Sequence, residues 1–273
     1  VIFPYLLNEG KASPMSEDYM GQNFPKGYQY LKDNETTLRA RERGRFDNSE
    51  EWFLFARKQG ISHVEQKKII TPEISFGTNM TLDRGTFYHN TKCYSFLKKE
   101  EIKEDYKFWL SVFNSTLMWF FISNTGYELR GGYFTFKTKY LEPFPLPKLG
   151  NINEQKPFVE KADQMLALNK KLQEKKIKFL NRITSNLAIA KITKKLDAFY
   201  NFDFKTLVSE LKKQKVILSL VQQDEWEEYF AAYKTEINQI QTQISTTDKK
   251  IDKMVYELYG LTEEEIGIVE GNI

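Results

Sequence analysis

The sequence predicts an α+β protein: a mixed-sheet, turn-rich domain over residues 1–150, followed over residues 151–273 by a long α-helical arm built as a coiled-coil hairpin. Three observations predict it. The first 157 residues hold all eight prolines and eleven of the fourteen glycines, the residues that punctuate turns and break helices. The next 102 residues, Phe158 to Tyr259, contain neither, which favours long helices. Within them Trp226, Phe230, Tyr233, Ile237, Ile240, Ile244, Thr247, Ile251, Met254 and Leu258 alternate steps of four and three, a heptad seam with one polar exception at Thr247.

Each element follows from local pattern. Val1 to Leu7 is a short apolar run closed by Asn8-Glu9-Gly10, a buried strand. From Pro25 the spacing of Tyr30, Leu31, Thr37 and Leu38 gives one helix whose end is crowded by Arg39, Arg41, Arg43 and Arg45, with Gly44 as its stop. An aromatic cluster follows in EEWFLFARKQG; KKIITPEIS reads as a β-branched strand led by Lys67-Lys68, and TFYHNTKCYSFL as another. Asp105 to Ser123 has helical spacing, Gly126 and Gly131-Gly132 open a loop, and YFTFKTKYL alternates as a strand. Pro143, Pro145 and Pro147 form a stiff exit. Beyond it Phe158, Met165, Leu172 and Phe179 recur every seventh residue, and NFDF at 201–204 is the point where the helices reverse into an antiparallel hairpin.

Composition narrows the chemistry. One cysteine excludes an intramolecular disulfide, and two histidines, His63 and His89, give no zinc-ligand spacing. The apolar stretch Phe113 to Ile122 is interrupted by Asn114, Ser115 and Thr116 and is far short of the ~20 residues of a membrane span. No GxxxxGK[ST] loop or strand-linked GxGxxG is present, so nucleotide binding has no motif. Asp47 with Glu65-Gln66-Lys67 meets the loose pattern of a metal-dependent nuclease, a pattern that a chain with 28% charged residues also produces by chance. These readings give a soluble protein of a reducing cytoplasm, without a bound cofactor or metal. Since the sequence begins at Val1, it reads as a piece of a longer polypeptide.

The net charge of +3 lies wholly in the first domain, where 21 Lys and Arg face 18 Asp and Glu, against 19 and 19 in residues 151–273. Twenty-eight of the forty aromatics are there too. Cations interleaved with aromatics suit a nucleic-acid surface and equally an aromatic core with a solvated exterior.

The ordered set FPY (3–5), PKGYQYL with LRARE, WFLFARKQG, KKIITPEIS, LSVFNSTL (110–117), RGGYFTFKTKYLEPFPLP (130–147) and IDKMVYELYGLTEEEIGIVE resembles the TaqI-like C-terminal specificity domain. That is the target-recognition module of type II and type IIG restriction-modification DNA adenine-N6 methyltransferases. The resemblance spans nearly the whole chain. It implies an upstream methyltransferase domain that binds S-adenosylmethionine, carries an Asn-Pro-Pro-aromatic motif absent here, and flips the target adenine. It also implies a bacterial cytoplasmic protein whose first domain reads double-stranded DNA in the major groove, while the helices act as a spacer or docking arm.

DNA recognition needs cations on phosphates and side chains on base edges. The phosphate candidates are Arg39, Arg41, Arg43, Arg45, Lys67, Lys68, Lys137 and Lys139, the last two alternating along a strand. Arg57, Arg84 and Arg130, near turns or glycines, are the base-reading candidates. The alternative is a docking module whose working part is the helical arm. The helix after Pro157 carries its own apolar stripe, so the expected arm is self-contained and the chain monomeric.

Overall fold

The computed structural model describes residues 2–58 and 60–271. The chain divides into two compact units, Val1–Ile102 with Phe121–Phe144, and Lys103–Phe120 with Pro145–Ile273.

A hairpin opens the first unit, β1 (Tyr5–Asn8) against β2 (Lys11–Pro14). Glu9 and Gly10 take φ of 47° and 75°, the two-residue turn whose twist matches paired strands. Four short helices follow: α1 (Glu17–Asn23), α2 (Pro25–Asp33), α3 (Glu35–Arg39) and α4 (Arg41–Gly44). The single helix expected from Pro25 is thus interrupted, first at Asn34 and then where Glu42 and Arg43 adopt left-handed φ of 52° and 62°. Its interior faces join Tyr5, Met20, Leu31, Phe46, Trp52 and Leu54 in one apolar core.

The remaining strands form two three-stranded antiparallel sheets. Strand β3 (Lys68–Pro72) lies at the centre of one, between β5 (Thr81–Asp83) and β6 (Cys93–Phe96); β4 (Ile74–Ser75) is an edge strand of the other. Later in the chain come α5 (Tyr106–Asn114) and α6 (Thr116–Thr125), then β7 (Glu128–Leu129) and β8 (Tyr133–Thr135), with β8 between β4 and β7. Glu73 alone separates β3 from β4, so one residue carries the chain from sheet to sheet. Its N–H donates to the Lys92 carbonyl (2.8 Å) and its carbonyl accepts from Phe136 N–H (2.8 Å).

Two strands are shorter than their sequence pattern. That of TFYHNTKCYSFL begins only at Cys93, and that of YFTFKTKYL stops at Thr135. The second stops because its partner β4 offers two residues; Lys137 then becomes the N-cap of α7 (Thr138–Leu141). Lys137 and Lys139 therefore leave the strand on which their alternation had placed them.

In the second unit α8 (Lys156–Leu187) and α11 (Leu220–Tyr259), 32 and 40 residues long, pack antiparallel. Phe179 and Ile183, near the end of one, share a core with Phe230 and Ile237, near the start of the other. All ten seam positions from Trp226 to Leu258 are buried or half-buried. The reversal is longer than a turn at NFDF: α9 (Lys194–Asp197), a 3-10 turn at Phe199–Asn201 and α10 (Phe204–Lys213) fold back on the helices, with the Phe199 ring stacked 3.8 Å from Phe179. The long run without glycine is broken by Ala188 and Lys215 at φ of 46° and 65°. Each restart has a side-chain cap: Thr193, Asp203, and Ser219 in a capping box with Gln222. Helix α5 packs on α8, and α12 (Glu263–Val269) ends the described chain. None of the described helices is long and apolar enough to cross a membrane.

Between α5 and α6 the expected single helix breaks at Ser115, whose ψ is 157°. The start of α6 is capped from a distance of 136 residues: Thr116 donates its N–H and its hydroxyl to the two carboxylate oxygens of Asp252, each at 2.7 Å.

One buried ion pair sits in the first unit. Lys68 and Asp83 face each other across β3 and β5, with side chains 1% and 0% exposed. The Lys68 ammonium bonds the Asp83 carboxylate and the carbonyls of Val64 and Gln66. Burial opposes ionisation of Asp83, but the bonds from Lys68 and from the Thr86 and Phe87 amides outweigh it and hold the carboxyl below its usual range.

Two outcomes follow for stability. Ile237→Asp places a charge at a site 0% exposed in a seam covered from within the chain, so urea unfolding should show a loss of roughly 3–5 kcal/mol, and sedimentation a monomer before and after the change. A concentration-dependent dimer that the variant dissociates into folded monomers would overturn the internal seam. Because the folded Asp83 carboxyl titrates below its unfolded value, it adds stability above about pH 4 that is lost as the pH falls through the folded value. Asp83→Asn should therefore flatten the acid limb of stability against pH, while Lys68→Met at neutral pH should cost about 3–5 kcal/mol by stranding a buried carboxylate.

Candidate nucleic-acid interface

The eleven cations separate by what their donors already hold. Arg39 bonds Glu35 (2.8 Å) and the carbonyls of Phe46, Asp47 and Ser49 at 3.3, 3.1 and 2.9 Å. Arg41 bonds the carbonyls of Leu38, Trp52 and Leu54 at 2.8, 2.7 and 3.0 Å, its guanidinium 4.9 Å from the Phe46 ring. Both are half-buried staples that satisfy backbone carbonyls of the turns around Trp52. Lys68 is buried in its ion pair and has no face toward solvent, which removes it from the phosphate-contact set.

The others point outward. Arg43, Arg57, Arg84 and Arg130 are exposed with no hydrogen-bond or ion-pair partner among the described residues. Arg45 lies over the Phe46 ring and Lys139 over Tyr140; Lys67 is exposed as well. Arg130 stands at the tip of the β7–β8 hairpin, before Gly131 and Gly132 at φ of 91° and 76°. Gly132 has a second reason to be glycine, since an added Cβ would lie 3.2 Å from the ring of Phe76.

Arg57 and Lys137 come together in a cleft of about 640 Å³ that also holds Lys92, His89 and Glu73. Glu73, at the crossing between the sheets, lies 3.0 Å from Lys92 Nζ and 3.4 Å from Lys137 Nζ. The hydrogen bond from Lys92, aided by Lys137, holds the Glu73 carboxyl below its usual range. Two lysines thus share one carboxylate and the cleft keeps a positive excess. His89 donates from Nδ1 to the Asn90 carbonyl (3.1 Å), and its Nε2 is hydrogen-bonded to the Ser95 hydroxyl. Burial pushes the Cys93 thiol up, away from thiolate chemistry. Among the described residues no three His, Cys, Asp or Glu side chains gather as metal ligands. The arrangement suits binding of an anion.

The β5–β6 connection is held by its own side chains and by its neighbours. Asp83 Oδ1 accepts from the amides of Gly85 (3.1 Å), Thr86 (2.9 Å) and Phe87 (3.3 Å) and from the Thr86 hydroxyl (3.1 Å). Tyr88 donates its hydroxyl to Glu65. Gly85 takes φ of 92°, and a Cβ there would lie 2.2 Å from the Glu65 carbonyl oxygen.

Sequence reasoning missed Lys92 and His89, whose neighbours in the cleft are distant in sequence. It also missed the exposed aromatics. Phe76 and Tyr133 are 64% and 47% exposed on the second sheet with rings 6.0 Å apart, and Phe87 is 62% exposed on the β5–β6 loop. Alternation along YFTF was the available signal for Tyr133; no periodicity marks Phe76 or Phe87.

Residues 24–146 match the TaqI-like C-terminal specificity domain, and residues 151–255 match a domain of unknown function, DUF8810. Among curated proteins none matches the chain. The specificity-domain match contains the cleft, the hairpin tip and the fixed loop, whereas the second match covers α8 to α10 and most of α11. Residues 24–146 are accordingly a TaqI-like C-terminal specificity domain, followed over residues 151–255 by a DUF8810 domain.

Proposed function

We propose that the chain is the sequence-specific DNA recognition module of a restriction-modification methyltransferase. In this reading residues 1–150 bind double-stranded DNA and residues 151–273 form a spacer or docking arm. An upstream adenine-N6 methyltransferase domain of the same polypeptide binds S-adenosylmethionine and performs the chemistry; no residue of this chain is assigned to that cofactor. The carrying observation is that four arginines without intramolecular partners among the described residues, Arg43, Arg57, Arg84 and Arg130, all lie in the stretch matched to a specificity domain. An unpaired guanidinium offers a planar fork of donors to phosphate oxygens or to a guanine edge. A bacterial cytoplasmic setting agrees with this role.

A second reading, the arm as a protein-docking module, is favoured by one observation. Ile217, Leu220 and Val221, at the entry to α11, are 80, 76 and 67% exposed. Leu220→Lys with Val221→Lys should abolish capture of a protein partner while leaving DNA binding intact if docking is the arm's task.

DNA binding is tested by fluorescence anisotropy with a duplex across a salt series. Affinity should fall with a log–log slope of about −0.9 for each phosphate neutralised, and alanine at Arg43 or Arg57 should make the slope shallower by roughly one contact. Glu73→Gln, which frees Lys92 and Lys137, should tighten binding and steepen the slope. Binding indifferent to salt, or none at low ionic strength, would sink the proposal.

A further inference from the structure

We propose that the β5–β6 loop, Arg84 to Phe87, is a preorganised base-reading loop. In it Arg84 takes the O6 and N7 edge of a guanine, Phe87 packs on the methyl of a neighbouring thymine, and Asp83 is the positioning residue. The inference rests on the DNA-recognition reading above and assigns the specificity contact within it.

Three features set this loop apart from the other exposed cations. First, its main chain is fixed from both sides: Asp83 holds three consecutive amides, Gly85 lies against the Glu65 carbonyl, and Tyr88 is tied to Glu65. A loop ordered before binding loses little entropy on contact, so its side chains can discriminate rather than merely adapt. Second, the fixing consumes one side chain and spares two. The Thr86 hydroxyl is spent on Asp83, while Arg84 keeps every guanidinium donor and Phe87 remains 62% exposed. Third, the spared pair has a defined complement. Guanine presents two acceptors to a bidentate arginine in the major groove, and thymine presents there a methyl group that an apolar ring can cover.

Asp83 itself touches no base in this account. Its carboxylate is enclosed, 0% exposed, with Lys68 on one side and the loop amides on the other. Lys68 thereby acts on DNA indirectly, by holding Asp83 ionised where the amides need it.

The test selects duplexes from a randomised pool with the whole chain and sequences the bound fraction. The wild type should enrich a motif containing a guanine beside a thymine. Arg84→Ala should make the guanine position degenerate and weaken the motif about 10- to 100-fold, with little change toward unselected duplex. Phe87→Ala should lose preference at the thymine. Replacing that thymine by deoxyuridine, which lacks only the methyl, should weaken the wild type and not Phe87→Ala. Asp83→Asn should relax the same two positions while unselected duplex still binds, a split that general destabilisation would not give. Should that variant fail to fold, hydrogen exchange on the free wild type decides the positioning role: protected Gly85, Thr86 and Phe87 amides support it, and rapid exchange overturns it. If the wild type enriches a motif that Arg84→Ala and Phe87→Ala enrich unchanged, the loop assignment falls and DNA recognition stands. If the wild type enriches no motif, DNA recognition falls and takes the loop assignment with it.

Discussion

A lysine and an aspartate enclosed between two strands of a small sheet must each find partners, because an unpaired charge in the interior costs several kcal/mol. Lys68 and Asp83 find each other across β3 and β5, and the hydrogen-bonding capacity left over recruits the backbone around them. Two carbonyls from the segment before β3 turn toward the ammonium, and three amides from the segment after β5 turn toward the carboxylate. One pair thereby fixes two loops. The strand expected from Thr86 is overridden at its start and begins only at Cys93, since amides bonded to a side chain are not free for a ladder.

The same accounting sorts the cations. A net charge of +3 understates how unevenly the positive groups are used. Arg39, Arg41 and Lys68 spend their donors inside the fold, Lys92 and Lys137 share Glu73, and only part of the basic residues remains directed at solvent. Glu73 matters doubly, since its backbone joins the sheets and its side chain tempers the cleft they form. The cleft is in this way limited in charge and given shape.

In the helical unit, stability comes from an apolar seam closed within the chain. The heptad spacing of α11 is narrow, and α8 supplies the opposing stripe. Asp252 adds a polar contact to that framework by leaving the seam helix to cap α6, and its burial pushes the carboxyl up while Thr116 restrains the shift. A cap supplied from so far along the chain lets Ser115 break what would otherwise be one helix.

What the sequence by itself determined depends on local spacing: the α+β class, the two long helices, each position of the seam, and β-structure in KKIITPEIS and TFYHNTKCYSFL, although the first, read as one strand, divides at Glu73 between two sheets and the second begins only at Cys93. The caps Thr193, Asp203 and Ser219, which restart the helices after breaks made without glycine, were not read from the sequence. Tertiary structure alone decided which polar residues were consumed. Lys67 and Lys68 are adjacent and alike in sequence, yet one is exposed and the other enclosed, because alternate residues of a strand face opposite ways and Asp83 waits on one side only. Lys137 and Lys139 left their strand because β4 ran out of residues to pair, and Lys92 reached Arg57 and Lys137 only through the crossing at Glu73. Charge balance and strand termination are set by partners distant along the chain, and no local pattern carries that information.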